Sequence, residues 1–469
     1  MKKFILLLIA GISMSGAHAQ MQLNLPLLYN WNDPTIPPAF YGAYNDCWGY
    51  ADSLGHEYAI IGSAIGTHFF DVTNPTNPVQ VSFQPSKDQA TLTIHRDFKT
   101  YSHYCYGVAD EGANSLQIFD LQYLPDSVVK VYDSDVLCTR AHNIFIEGNK
   151  LYMPSTTVGG NFHAMDVLSL ANPVNPTFIT TLSSTNFSHV HDVFVRNDTA
   201  YCSVGYDGLY VYSFVNPISP QLLLVLDNYP EMGYSHSSWL TPQGFTLIVA
   251  DETHGSGLKA FDISDFSNPI VKSVFRSNLL NVPVPNGPNG SIPHNEFIRE
   301  HYLFVSYYHD GVQVFDIADP SNPVQVAYYD TYPSNVDYSS YAGCWGVYPF
   351  LPSGTIVASD ISNGLFLLNG ATVLAAHTPD GVNQGVAVIG NPVSGDATLQ
   401  ITLKDPGKVS LKIVDMLGRS VYDQIADLQS GSNKLTIPSQ PWSNGIYLVH
   451  VSGSGVGQTI KLVRSGIRN

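Results

Sequence analysis

Between Trp48 and Asn369 the chain alternates apolar and polar positions in short runs, and the same set of runs keeps returning. The clearest copy spans His294 to Tyr329: a polar start, three apolar runs, a Pro-rich turn, then VQVAYY. Alternation with period two over about five residues, bounded by Gly, Asn and Pro, predicts four short strands per copy. The copies align on the aspartate that closes the third strand, at Asp71, Asp120, Asp166, Asp262 and Asp316, with Ser213 and Asn369 in that place in the other two. Adjacent copies lie 46 to 54 residues apart. First strands begin at Trp48, His95, His142, His191, His236, His294 and Trp345, each 22 to 26 residues before its aspartate position. A four-stranded unit of this size cannot bury both faces of its sheet, so the copies must stack on one another. The pattern predicts an all-β fold, a seven-bladed β-propeller.

The seventh copy lacks a fourth strand: after Phe366-Leu367-Leu368 the pattern stops. Leu23 to Asn30 has the alternation of an outer strand and precedes the first copy, so it is expected to complete the last blade and close the ring. Residues 371–385 read as a linker, and 386–469 hold about seven alternating strands without the blade repeat, the signature of a small Ig-like β-sandwich. At the other end, Lys2 and Lys3 precede an apolar run from Phe4 to Ile12 and the small-residue triplet Ala17-His18-Ala19. That order predicts a secretory signal peptide over 1–19, leaving 20–370 for the ring. No later stretch approaches the roughly eighteen apolar residues of a transmembrane helix.

Charge narrows the partners. The formal net charge is −17, which argues against nucleic acid, since phosphate binding needs a surplus of Lys and Arg. Five cysteines, Cys47, Cys105, Cys138, Cys202 and Cys344, exclude a fully paired framework. Cys47 and Cys344 sit in matching CWG triplets of copies that adjoin in a closed ring, which leaves both a disulfide and two buried thiols open.

Five of the seven first strands begin with histidine. In a propeller the innermost strand lines the axis, so His95, His142, His191, His236 and His294 are expected around one channel. The turns between second and third strands open on the same face and supply Asp110, Glu111, Asp207, Asp251, Glu252, His254, His309, Asp310 and Asp360. Imidazoles and carboxylates converging on one mouth can hold a divalent metal ion or perform acid–base chemistry near neutral pH. We take His142, His191, His236 and His294 as candidate metal ligands, and His95, His309, Asp207, Asp251 and Asp310 as candidate ligand-binding residues. The competing reading is structural, with repeated histidines bracing their strands through backbone carbonyls. The aspartate of each third strand precedes a turn and is expected to bond local amides. No phosphate loop, CxxC pair, HExxH helix or GxSxG elbow occurs.

Two resemblances rest on specific residues. Asn391-Pro392-Val393, Ile413-Val414-Asp415 with Leu417-Gly418-Arg419, Gly445-Ile446-Tyr447-Leu448 and Lys461-Leu462-Val463 occur in the order of the type A sorting domain carried by type IX secretion substrates of Bacteroidota. That resemblance implies export across the outer membrane by the type IX machinery acting on 386–469, removal of this domain, and release or attachment at the cell surface. The passage from Asn45 to Val79, the stretch around His95, and the segment from Asp330 to Leu368 resemble the choice-of-anchor B family of LVIVD-type repeat propellers. His95 departs from the family's Trp, and the Asp251–His254 turn is less acidic than its pattern. The family implies a fold and an extracellular location without an agreed activity. The expected function is therefore a secreted or surface propeller binding an extracellular ligand at its mouth; the alternative is an extracellular hydrolase or lyase with a His-rich, metal-dependent site.

Overall fold

The computed structural model describes residues 22–277, 279, 290–333, 338–375, 385–389, 393, 395–415, 419–454 and 456–464. The expected signal peptide over 1–19, most of the expected linker, Asn391-Pro392 and Leu417-Gly418 lie outside them. The chain divides into two units, Met1–Leu374 and Ala375–Asn469.

The first unit is a propeller of seven blades, each built on four antiparallel strands. Blade two shows the plan: Arg96–Tyr101, Tyr104–Ala109, Leu116–Asp120 and Val129–Ser134 pair in sequence order. In every blade the register slips between third and fourth strands, as at Val167/Leu168 and Val314/Phe315. Such a bulge sharpens the local twist, which lets the outer strand turn away from the axis.

Burial follows from the stacking. Each pair of adjacent blades encloses an apolar layer, for example Ile60, Phe69, Phe98 and Phe119 between blades one and two. The layer between blades seven and one, with Leu365, Leu367, Ile61 and Phe70, is built like the rest. Closure is made by the N-terminus. Leu27–Trp31 pairs antiparallel with Gly364–Asn369, with Leu27 opposite Leu368 and Trp31 opposite Leu365. The preceding pair, Gln22–Leu23, adds a fifth strand to blade six against Tyr328 and Tyr329, so Leu23, expected at the start of the strand that completes blade seven, pairs with the neighbouring blade instead.

The third-strand aspartates behave as turn residues: Asp71, Asp120, Asp262 and Asp316 accept the amides two residues on at 2.9–3.0 Å. Asp166 differs, being buried against His163 and Thr181. All five cysteines are buried and free. Ala371–Ala375, inside the expected linker, forms a short helix whose Val373 packs into the layer between blades six and seven.

The second unit is a sandwich. A three-stranded sheet (Gly385–Ile389, Ala397–Leu403, Gly431–Ile437) faces a four-stranded one built on Gly407–Asp415 and Gly445–Gly453. Alternate residues such as Leu399, Ile401, Leu411, Ile413 and Val449 fill the core between them.

Candidate functional site at the axial mouth

Five imidazoles and one indole close a ring around the propeller axis. Neighbouring centroids lie 5.1 Å apart for His95–His142, 4.2 Å for His142–His191, 4.4 Å for His191–His236 and 4.3 Å for His236–His294. Trp345 completes the circle at 5.0 Å from His294 and 5.3 Å from His95. All five histidines singled out by the repeat therefore share one layer, together with the indole that begins the seventh copy's first strand. Trp48, aligned with Trp345 by its CWG triplet, lies elsewhere. Asn45 and Asp46 bulge out of blade one's first strand between Tyr44 and Cys47, which moves Trp48 down the axis. In blade seven the bulge comes after Cys344 and extrudes Trp345 itself, as His236 is extruded between Ser235 and Ser237.

Three layers follow one another along the axis. Above the ring lies a cavity of about 210 Å³ walled by Tyr41, Tyr308, Tyr341 and Glu252. Below it come Asp46, Asp97, Asn143, Asp192 and Asn295. The far end is stoppered by aromatic rings: Trp239 stacks within 4.6–6.1 Å of Phe194, Phe297, Phe145 and Phe350, and Trp48 lies 4.8 Å from Tyr348.

Hydrogen bonds orient the imidazoles. His142 Nδ1 meets Asp110 Oδ2 at 2.9 Å, His191 Nδ1 meets the Tyr234 hydroxyl at 3.1 Å, and His294 Nδ1 donates to the Trp345 carbonyl at 2.5 Å. His95 Nδ1 is bound by Glu111. With Nδ1 engaged outside, the Nε2 atoms of His142 and His191 approach each other to 3.1 Å. His236 has a buried Nδ1 with no hydrogen-bond partner, and its Nε2 stands 3.9 Å from Glu252 Oε2. The ligand atoms of His191, His236 and Glu252 all lie within 4.8 Å of one another, as do those of His95, Asp110 and His142.

The electrostatics are uneven around the ring. Burial opposes protonation of His142, but the Asp110 hydrogen bond and the charges of Asp110 and Glu252 outweigh it and raise its pKa. Burial, reinforced by charge on His142, holds His191 well below the ordinary value. His236 is lowered by burial and its histidine neighbours, and His294 falls to about 3 through burial. Burial pushes Glu252 up to about 7, against the Tyr308 hydroxyl that donates to its Oε1 at 2.7 Å. Tyr308 reaches Glu252 from a backbone φ of +31°, a conformation that bulky residues adopt only when their surroundings impose it.

The other candidates are placed elsewhere. Asp207 is exposed and does not line the cavity. Asp251 is fully buried in blade five, paired with Lys259 at 2.6 Å and accepting from Tyr229 and Gly233. Its neighbour Glu252 is the one that faces the mouth, because successive residues at a strand end point to opposite sides. Asp310 accepts from Tyr338 in a separate recess beside Arg276 and Tyr307, and His309 is buried with its ring 4.6 Å from Tyr338. The tyrosines of the mouth, Tyr41, Tyr234, Tyr308 and Tyr341, went unnoticed in the sequence because aromatic residues fill the blade cores as well.

Comparisons with known proteins address both units. Residues 388–465 match the family model of the secretion system C-terminal sorting domain, and 297–331 match that of the LVIVD repeat. The chain thus carries a tail for export through the type IX secretion system, to the cell surface or beyond it. No curated protein matches the chain. Among solved structures, it is similar to PorZ, an essential bacterial surface component of the type-IX secretion system of Porphyromonas gingivalis, at 11% identity and a TM-score of 0.45 over 93% of this chain and 61% of that one. The chain therefore spans about three fifths of that protein's length. The WD40 repeats of RRP9 (9% identity, TM-score 0.49, 75% of this chain and 99% of that one) and the β-propeller domain of Myceliophteria thermophila Cps50 (9%, 0.48, 73% and 98%) are also similar. No helix among the described residues is long and apolar enough to cross a membrane.

Proposed function

We propose that the exported ring binds a divalent transition-metal ion at its mouth and holds a small extracellular ligand against it in the cavity above. The contact between His142 Nε2 and His191 Nε2 carries this reading. Two imidazoles bound to one zinc at about 2.0–2.1 Å in near-tetrahedral geometry have their nitrogens roughly 3.0–3.4 Å apart, and here the separation is 3.1 Å. His236 and Glu252 approach from the adjoining blade, their ligand atoms within 4.8 Å of that of His191, with His294 next in the circle. The partners on Nδ1 are those that fix and strengthen metal-bound histidines: a carboxylate on His142, a phenol on His191, a carbonyl on His294. Isothermal titration of zinc into the full chain tests this. One ion per chain is expected, with at least ten-fold weaker binding in His191→Ala and in Asp110→Ala. Zinc affinity unchanged in His191→Ala and His236→Ala would return these residues to bracing the blades.

One observation favours a second reading, an extracellular hydrolase or lyase. Glu252 changes protonation near neutral pH beside the imidazoles, which suits a general acid or base. In that case Glu252→Gln abolishes turnover while the cavity still takes up substrate.

A further inference from the structure

Beneath the imidazoles lies a layer that neither reading uses. Six blades contribute an oxygen-bearing side chain to it: Asp46, Asp97, Asn143, Asp192, Ser237 and Asn295. The seventh supplies Gly346, where a Cβ would stand 2.8 Å from Asp46 Oδ1. Small chambers of about 20 Å³ lie above and below this layer, each large enough for one water-sized occupant. Several oxygens around them are buried without any hydrogen-bond partner: Asn143 Oδ1, Asn295 Oδ1 and Glu296 Oε1. Glu296 is only 2% exposed and lines the lower chamber.

Charge is also out of balance. Asp46, Asp97, Asp192 and Glu296 face these chambers, against two cations in the same lining, Arg96 above and Lys99 below. The Lys99 ammonium is bound to Asp97 at 2.7 Å and lies over the Trp48 ring, and the Arg96 guanidinium donates to the Ser63 carbonyl and Thr93. Buried carboxylates without a counter-charge are strongly disfavoured as anions. The donors are carboxylate and amide oxygens, the chemistry of a hard cation taking six to eight oxygen ligands rather than of an ion that prefers imidazole.

We infer that the propeller axis holds a calcium-class cation in this oxygen layer, one storey below the mouth and independent of the metal proposed there. The test uses terbium(III) as a calcium surrogate on the full chain, incubated until emission is constant. Trp345 and Trp239 line the two chambers and serve as the sensitising indoles. The expected result is tryptophan-sensitised terbium emission that calcium displaces, with one ion per chain. Asp192→Asn and Glu296→Gln should each weaken binding at least ten-fold, whereas Asp110→Ala, which weakens the mouth and lies outside both chambers, should leave it unchanged. If either carboxylate variant fails to fold, Asn143→Ala removes an unpartnered oxygen without altering charge and should weaken binding in the same way. Absence of calcium-displaceable emission, or emission indifferent to all three substitutions, overturns the inference. Zinc titration reports on the mouth separately, so failure of one site is distinguishable from failure of the other.

Discussion

The ring should depend on its first ten described residues more than their length suggests. Leu25 is completely buried between blades six and seven, while Leu28, Tyr29 and Trp31 are half-buried along the closing strand. Truncating a fully buried leucine to alanine costs about 3 kcal/mol once the residual cavity is counted. For a domain this large that corresponds to a fall in Tm of about 5 °C. Leu23 is 44% exposed, so Leu23→Ala should stay within about 0.5 kcal/mol of the parent. Deleting 22–31 removes the burial of Leu25, worth about 2 kcal/mol, and roughly 1 kcal/mol from each half-buried side chain. The total of about 5 kcal/mol is comparable with the net stability of an ordinary domain. The deletion also uncovers the ladder groups of Gly364–Asn369, an edge able to pair with a second molecule. Calorimetry and size-exclusion chromatography of the full chain and its variants decide the matter. A deleted protein that melts at the parent temperature as a monomer would refute the closure argument, and an unshifted Leu25→Ala would refute its energetic basis.

Acid should loosen blade one through His68, whose buried ring is held at about 4 by desolvation while Gln80 donates to its Nδ1. The unfolded chain takes up the proton near 6.5, so the stability contributed by neutral His68 is intact above that pH. It is lost as pH falls from 6.5 towards 4, to a total of about 3 kcal/mol; Tm recorded against pH should therefore fall less steeply for His68→Leu than for the parent, and equal slopes would contradict this. Export should be accompanied by loss of the sandwich. Mass spectrometry of the protein recovered outside its native cells is expected to show no peptides from Val409 to Arg468, and an intact C-terminus there would count against processing of the sorting domain.

Much of this architecture was legible because a repeat writes the same constraint several times. Four apolar runs per copy became four strands per blade, and histidines at one phase became one ring, since innermost strands related by rotation place equivalent residues at equivalent height. Legibility failed where a local irregularity shifted the phase. A bulge at Asn45–Asp46 sent Trp48 down the axis, while one beginning after Cys344 left Trp345 among the imidazoles. Asp251 and Glu252 are adjacent, and only the direction in which the strand ends assigns one to the blade interior and the other to the mouth. The separate pairing of Gln22–Leu23 with blade six could not be read, because two residues carry no period of their own and their partner lies more than three hundred positions away.

The aromatic stopper has a kinetic consequence. With Trp239 and its neighbours packed across the far end, the described residues leave the axis a well that opens at the mouth. Whatever occupies the cavity must leave by the route through which the next molecule arrives. Exchange is then strictly sequential: an incoming competitor cannot push the resident out from behind, and the rate of release should not change with competitor concentration.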